Sequence, residues 1–229
     1  SEILVATVEH VMGSLAGMEM DNVMVDLDAP EAPIMDGSAK PFIDAVEEAG
    51  IEEQNADREY FEIPNNIYYS EEDRNVEMIA MPLDGYRSTV MVDYNSPVLG
   101  SQHASISEIQ EFHKEIASSR TFCFLHELEE LVNNNLIKGG DLNNAIVIVD
   151  KQISNNEMTN LAKLFNKEDI NVKHEGILNN IDLRYQNEPA RHKLLDLIGD
   201  LALIGTPIKA QVMAARPGHA ANIEFARKI

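Results

Sequence analysis

Apolar residues recur at helical spacing in several parts of the chain, and this periodicity predicts α-helices. In the first predicted helix the apolar positions run from Val8 to Leu15, Thr7 is suited to cap the N-terminus, and Gly17 ends the pattern. The same spacing predicts further helices at residues 41–49, 108–116, 126–133, 157–165, 189–204 and from 220 onward.

Alternating polar and apolar residues, bounded by Asn, Asp, Gly and Pro, predict short strands between these helices. They lie at residues 3–6, 22–27, 60–63, 76–81, 88–94, 100–106, 145–149 and 208–214. Because both kinds of element occur together, the sequence predicts an α+β protein. The pattern becomes rich in strands from Glu59, so we place one unit at residues 1–55 and a second at residues 56–229.

The composition argues against a nucleic-acid partner and favours a reducing cellular compartment. Acidic side chains outnumber basic ones by 39 to 18, giving a formal net charge of -21, which argues against binding nucleic acid through its phosphates. The single cysteine, Cys123, cannot form an intramolecular disulfide, as is usual in a reducing compartment. There is no apolar run of membrane-spanning length and no signal-peptide pattern, so we expect a cytoplasmic protein without a transmembrane segment.

The segment 189–204 carries polar residues inside an otherwise apolar helix. His192, Asp196 and Asp200 are spaced four residues apart, so they share one helix face. An imidazole and a carboxylate one turn apart can bind the same divalent ion, and zinc accepts both kinds of ligand. A buried ion pair between His192 and Asp196 explains the spacing equally well, because the two side chains attract each other without a metal.

Further candidates for a catalytic site lie elsewhere in the chain. Glu9 precedes His10 in the first helix turn, where the histidine can bind a metal and the carboxylate can accept a proton from water. An ordinary helix start, with glutamate favoured by the dipole, is the alternative. His219 is a candidate general acid held by Asp200, or an exposed loop histidine. By itself, Thr121 is typical of a strand.

Several short motifs follow one another at 7–10 (TVEH), 15–17 (LAG), 31–38 (EAPIMDGS), 120–122 (RTF), 139–140 (GG), 183–185 (LRY), 188–193 (EPARHK), 199–201 (GDL) and 218–219 (GH). Together they resemble the zinc-dependent UDP-3-O-acyl-N-acetylglucosamine deacetylases. The resemblance implies two-layer α/β sandwich domains packed against each other. It also implies hydrolysis of the acetamide of UDP-3-O-(3-hydroxyacyl)-N-acetylglucosamine, which releases acetate in the committed step of lipid A biosynthesis.

The resemblance also assigns the metal ligands and the general base. His10, His192 and Asp196 would be the zinc ligands, and Glu9 would be the general base that deprotonates the attacking water. Amide hydrolysis needs a nucleophile stronger than neutral water, and zinc together with a carboxylate can provide one.

The remaining roles concern the substrate and the leaving group. By the resemblance, Thr121 would help to stabilise the oxyanion, and Lys193 would neutralise charge near the substrate's carbonyl and diphosphate. His219, supported by Asp200, would protonate the departing glucosamine nitrogen, and Phe122 would lie along the sugar. The amine needs that proton because it cannot leave as an anion.

The sequence departs from the family pattern at its start. The family's first domain normally includes a stretch before the TVEH motif, whereas this chain begins almost at that motif. We therefore expect an incomplete first domain, an exposed sheet edge near residues 22–27, and impaired activity of the isolated chain. Equal turnover by this chain and by an N-terminally extended form would contradict that expectation.

A second departure is an extended insert near residues 150–180. In the family this neighbourhood shapes the passage for the acyl chain, so the insert is expected to alter chain-length preference. Forms with such an extension resemble those fused to a downstream 3-hydroxyacyl-carrier-protein dehydratase.

Two other functions compete with the deacetylase reading. One is a catalytically impaired remnant that binds zinc or a nucleotide sugar without turnover. The other is a zinc peptidase, which is disfavoured because the chain has no His-Glu-x-x-His motif.

Overall fold

The computed structural model describes residues 4–127, 144–151, 153–164, 170–173, 176–178 and 181–229. Its helices are α1 (Glu9–Gly17), α2 (Lys40–Ala49), α3 (Phe112–Glu115), α4 (Asn155–Leu164), α5 (Glu188–Ala202) and α6 (His219–Ala226). Its strands are β1 (Phe61–Glu62), β2 (Ile67–Glu71), β3 (Val76–Pro82), β4 (Tyr86–Asp93), β5 (Ser101–Ile106), β6 (Phe122–Phe124), β7 (Ile146–Ile148) and β8 (Ile208–Ala215). These helices and mixed sheets confirm the predicted α+β class. Within the described ranges, none of the helices combines the length and the apolar composition that a membrane span requires.

Strand β8 is the centre of a six-stranded mixed sheet with the order β2-β3-β8-β4-β5. It pairs antiparallel with β3 and parallel with β4, while the short β1 pairs parallel with its beginning. Alternate residues of β8, from Ile208 to Ala214, are buried, as expected for a strand with one face on a core. The sheet therefore offers one continuous apolar face to the helices.

Helix α5 packs on this face and is buried along almost its whole length. Its residues Leu194, Leu197 and Ile198 share a core with β3, β4 and β8. Helix α1 packs against α5 as well, so closely that a Cβ built on Gly199 would lie 2.1 Å from the carbonyl oxygen of Glu9. Because α5 contacts both the sheet and α1, its side chains His192, Asp196 and Asp200 lie in the protein interior.

A second, smaller sheet consists of the parallel strands β6 and β7. Ile148 at the end of β7 also forms an antiparallel bridge with Ile177. Leu161 of α4 packs with Leu125 and Val147 in a separate apolar cluster. The segment Phe122–Phe124, which follows Thr121, is thus anchored by its own small core.

The strands predicted at residues 3–6 and 22–27 are wrong for the described part of the chain. Ala6 makes one isolated bridge with Glu31, and residues 22–27 pair with no described strand. Met24 is 85% exposed and Val25 is 49% exposed. Alternation defines two faces of a segment, but a strand also needs a neighbouring backbone to satisfy its amides.

The first helix starts differently from the prediction. Thr7 has a φ of 55° and donates its hydroxyl hydrogen to Glu31 at 2.6 Å, so it does not cap the helix. The N-cap is Val8, which makes no side-chain cap. Strand β2 was not predicted, because the sequence of Ile67–Glu71 does not alternate apolar and polar residues. Its side chains are half-buried or exposed, as on a sheet edge. The predicted helix at 126–133, from residue 128 on, and the 139–140 motif lie outside the described residues.

Candidate active site

Three side chains predicted as metal ligands lie together between α1 and α5. His10 belongs to the first turn of α1, whereas His192 and Asp196 lie one turn apart on α5. Their potential ligand atoms are all within 4.8 Å of one another, and all three residues are at most 3% exposed. The imidazole rings of the two histidines meet edge to face, with centroids 5.1 Å apart. The close approach of the two helices thus joins residues that are far apart in sequence.

The orientation of His192 is set by a backbone carbonyl. Nδ1 of His192 lies 3.1 Å from the oxygen of Ser119, which can only accept, so Nδ1 carries the hydrogen. The lone pair of Nε2 then faces Oδ1 of Asp196, 3.2 Å away. In the neutral imidazole these are two electron-rich atoms, and a metal ion between them would offset their repulsion. Two ligand atoms on a tetrahedral zinc with bonds of about 2.0–2.1 Å are about 3.3 Å apart, so the spacing fits that metal.

Two buried polar atoms of this group also lack a hydrogen-bond partner among the described residues. They are Nδ1 of His10 and Oδ1 of Asp196. Buried polar atoms are nearly always paired, and each unpaired one is costly. A plain ion pair between His192 and Asp196 leaves the nitrogen of His10 unexplained, whereas a shared metal ion accounts for all three side chains.

The protonation states of this group suit a metal. Burial, together with the neighbouring His192, lowers the pKa of His10 to about 4, so its imidazole is neutral at neutral pH. Burial alone would raise the pKa of Asp196, but the nearby His192 and Lys193 outweigh it and hold this pKa well below the ordinary value. Metal ligands must be unprotonated, and both of these are.

Glu9 and His219 flank the three candidate ligands. Nε2 of His219 lies 3.9 Å from Oε1 of Glu9 and 3.8 Å from Oδ2 of Asp196. Burial raises the pKa of Glu9 above its ordinary value, while the hydrogen bond with Asp200 raises the pKa of His219 to about 9. With a pKa of about 9, His219 is protonated at neutral pH, the state required of a general acid, while the raised pKa of Glu9 makes its carboxylate a stronger base.

Asp200 is itself held by a residue that sequence reasoning missed. Its Oδ2 lies 2.9 Å from Nδ1 of His219 and accepts a hydrogen bond of 2.8 Å from Nδ2 of Asn222. Asn222 is completely buried. The available signal was its spacing, since residues three apart on one helix share a face and can reach the same carboxylate.

Lys193 and Phe122 border the other side of the group. Nζ of Lys193 lies 2.7 Å from Oδ2 of Asp196 and 5.4 Å from the centre of the Phe122 ring. Burial would lower the pKa of Lys193, but Asp196 outweighs it and the pKa is raised, so the ammonium stays charged. Tyr94 packs edge to face on Phe122 and was not predicted, since nothing in its local pattern distinguishes it.

The whole chain is similar in sequence to known proteins. Residues 1–165 and 160–229 match the UDP-3-O-acyl N-acetylglycosamine deacetylase family. The chain belongs to this family. Two similar proteins are named bifunctional enzyme LpxC/FabZ. The one from Chlorobaculum tepidum is 48% identical over all of the chain and 50% of its own length. The one from Porphyromonas gingivalis is 41% identical over all of the chain and 49% of its own length. The UDP-3-O-acyl-N-acetylglucosamine deacetylase of Acidithiobacillus ferrooxidans is 39% identical over 99% of the chain and 67% of its own length.

These matches confirm the resemblance that the motifs indicated. They also show that the chain spans about half the length of the two bifunctional relatives. The deacetylase family motifs converge in space, because the TVEH segment supplies His10 while the EPARHK segment supplies His192.

The motif at residues 31–38 of this family member supports the loop that carries Thr121. Asp36 forms an ion pair of 2.8 Å with Arg184, and the oxygen of Gly37 accepts a hydrogen bond of 2.8 Å from the amide of Thr121. Gly37 has a φ of 84°, and a Cβ there would lie 1.9 Å from the carbonyl oxygen of Asn144. The motif therefore requires glycine and fixes the backbone of Thr121, one residue before Phe122.

Proposed function

We propose that the chain hydrolyses the acetamide of UDP-3-O-(3-hydroxyacyl)-N-acetylglucosamine and releases acetate, with zinc bound by His10, His192 and Asp196. The observation that carries this proposal is a buried set of two imidazoles and a carboxylate, with the carboxylate of Glu9 and the imidazole of His219 beside it. Membership of the deacetylase family and the printed name of the Acidithiobacillus relative support the substrate class.

Each step of amide hydrolysis has a candidate side chain. When bound, zinc would act as a Lewis acid and lower the pKa of a water molecule. Glu9 accepts a proton from the water as its oxygen attacks the acetamide carbon. The Thr121 hydroxyl donates a hydrogen bond to the carbonyl oxygen, and the Lys193 ammonium offsets the negative charge that develops there. His219 then donates its proton to the nitrogen as the carbon–nitrogen bond breaks, leaving acetate and a free amine.

Phe122 is proposed to line the sugar, since its ring lies beside Lys193 at the edge of the site. Asp200 is proposed to keep His219 protonated and oriented through the hydrogen bond at Nδ1. We further propose residues 1–55 and 56–229 as two deacetylase units in a cytoplasmic protein. The names of the bifunctional relatives support a fused dehydratase module in the natural protein.

Metal removal tests the proposed function directly. Turnover of the acylated UDP-sugar should fall to the background rate after chelation and dialysis, and return when one equivalent of zinc is added per chain. Magnesium serves as the control, because a site with two imidazoles suits zinc and not this oxygen-preferring ion. Full activity in the chelated protein would contradict the proposal. Bound zinc without turnover would favour the catalytically impaired remnant.

The pH dependence of kcat/KM should be bell-shaped. Glu9 must be ionised, so activity falls as the pH drops through its pKa, which burial raises above the ordinary value of 4.5. His219 must be protonated, so activity falls again as the pH rises through about 9. The His219→Ala variant should lose the alkaline limb along with most of its activity, while a monotonic profile in the unmodified chain would refute these roles.

A further inference from the structure

Residues 119–121 contact helix α5 at two successive turns of that helix. Ser119 accepts the hydrogen bond from His192, and Arg120 forms an ion pair with Glu188, which lies one turn before His192 on the same helix. Thr121 follows directly. The position of this segment therefore determines both how His192 is oriented and where the Thr121 hydroxyl lies.

The ion pair is buried, and both oxygens of Glu188 accept hydrogen bonds. The side chain of Arg120 is 7% exposed and that of Glu188 is 0% exposed. Oε1 of Glu188 accepts from Nε and from the backbone amide of Arg120, at 2.9 Å and 3.0 Å. Oε2 accepts from Nη2 of Arg120 at 3.2 Å and from the amide of Arg184 at 2.6 Å. Arg120 also donates to the carbonyl oxygen of Asp182.

A buried ion pair of this kind is poor evidence for a purely stabilising role. Taking both charges out of water offsets most of their attraction, and well-packed apolar residues often replace such a pair without loss of stability. What distinguishes this pair is its geometry, because a planar guanidinium with fixed donors holds a carboxylate in one orientation. It joins the start of α5, the segment 119–121 and the segment that contains Asp182 and Arg184.

The backbone of Thr121 is held on its other side as well. Its amide donates to Gly37, and its carbonyl oxygen accepts from the amide of Ile146, both at 2.8 Å. The Arg120–Glu188 pair, together with the hydrogen bond between Ser119 and His192, relates this fixed backbone to helix α5.

We propose that Arg120 and Glu188 are positioning residues, which keep the hydrogen of His192 on Nδ1 and align the Thr121 hydroxyl with the reacting carbonyl. The part that concerns Thr121 rests on the proposed function. The part that concerns His192 rests only on the hydrogen bond to Ser119 and the neighbouring ion pair.

The test is the Arg120→Lys variant, which keeps the positive charge but loses the planar arrangement of donors. We expect kcat per bound zinc to fall about 10- to 100-fold, with KM and zinc stoichiometry unchanged, because small misplacements of catalytic groups are costly. Glu188→Gln should have the same effect. Arg58→Lys is the control and should change none of these values, because Arg58 also forms ion pairs with two carboxylates, Glu19 and Asp21, but these pairs are more exposed and lie outside the site.

A second measurement does not depend on turnover. In the metal-free chain, the Nδ1 hydrogen of His192 should give a slowly exchanging NMR signal, and Arg120→Lys should broaden or abolish it. If the unmodified chain has no deacetylase activity, the proposed function fails, but this signal still decides the role of the pair at His192. A variant with unchanged signal and unchanged kcat per bound zinc, and only a lower melting temperature, would overturn the inference.

Discussion

Replacing Glu9 by glutamine should lower kcat for deacetylation by about 10²- to 10⁴-fold, the usual contribution of a general base. Glutamine has the same shape but cannot accept a proton from water. Since Glu9 is outside the set formed by His10, His192 and Asp196, zinc binding should persist. The measurements are steady-state turnover and zinc content by metal analysis.

The control for this variant is Glu48→Gln. Glu48 is an exposed residue of α2 and is not among the proposed site residues, so the same loss of charge should leave kcat unchanged. If the Glu9 variant loses zinc together with activity, Glu9 is a ligand and not the base. If it keeps most of its turnover, another group must take the proton.

Replacing Gly199 by alanine should weaken zinc binding about 10- to 100-fold, the loss typical when groups that orient metal ligands are disturbed. The added Cβ would lie 2.1 Å from the oxygen of Glu9 and 2.9 Å from its carbonyl carbon. These are backbone atoms, so no rotamer change relieves the clash, and the start of α1 must move away from α5. His10 and Glu9 move with it, and kcat/KM should fall about 100-fold or more.

Gly13→Ala is the matched control on the facing helix. A Cβ there would lie 3.5 Å from its nearest atom, the oxygen of Leu195, which is ordinary van der Waals contact. We expect normal zinc affinity and a free energy of unfolding raised by about 0.5–1 kcal/mol, because alanine is the better helix former. Isothermal titration with zinc and denaturant unfolding measure both quantities. Zinc affinity in Gly199→Ala equal to that of the unmodified chain would show that the helix crossing does not set the ligand spacing.

Local periodicity was sufficient where one element carries the chemistry. His192, Asp196 and Asp200 lie at four-residue spacing, and an apolar pattern around them predicts a helix buried on several sides. The structure places them on one helix, α5, with all three side chains buried. The same reasoning found most of the strands of the large sheet to within a few residues.

Periodicity failed where an element needs a partner. Residues 22–27 alternate like a strand, yet they pair with no described segment, whereas the poorly patterned β2 is a strand because β3 lies beside it. Hydrogen bonds between strands are made with distant residues, and no local pattern records them. The capping prediction at Thr7 failed for the same reason, because its hydroxyl bonds to Glu31, a distant neighbour.

The sequence by itself determined the residue types, the helix face that presents His192, Asp196 and Asp200, and, through its motifs, the family. Only the tertiary structure decided that His10 meets them, that Asn222 holds Asp200 and that Arg120 pairs with Glu188. The physical reason is that spacing along a helix is fixed by its own backbone hydrogen bonds. The approach of α1 to α5 depends instead on packing between segments, here on the missing side chain of Gly199.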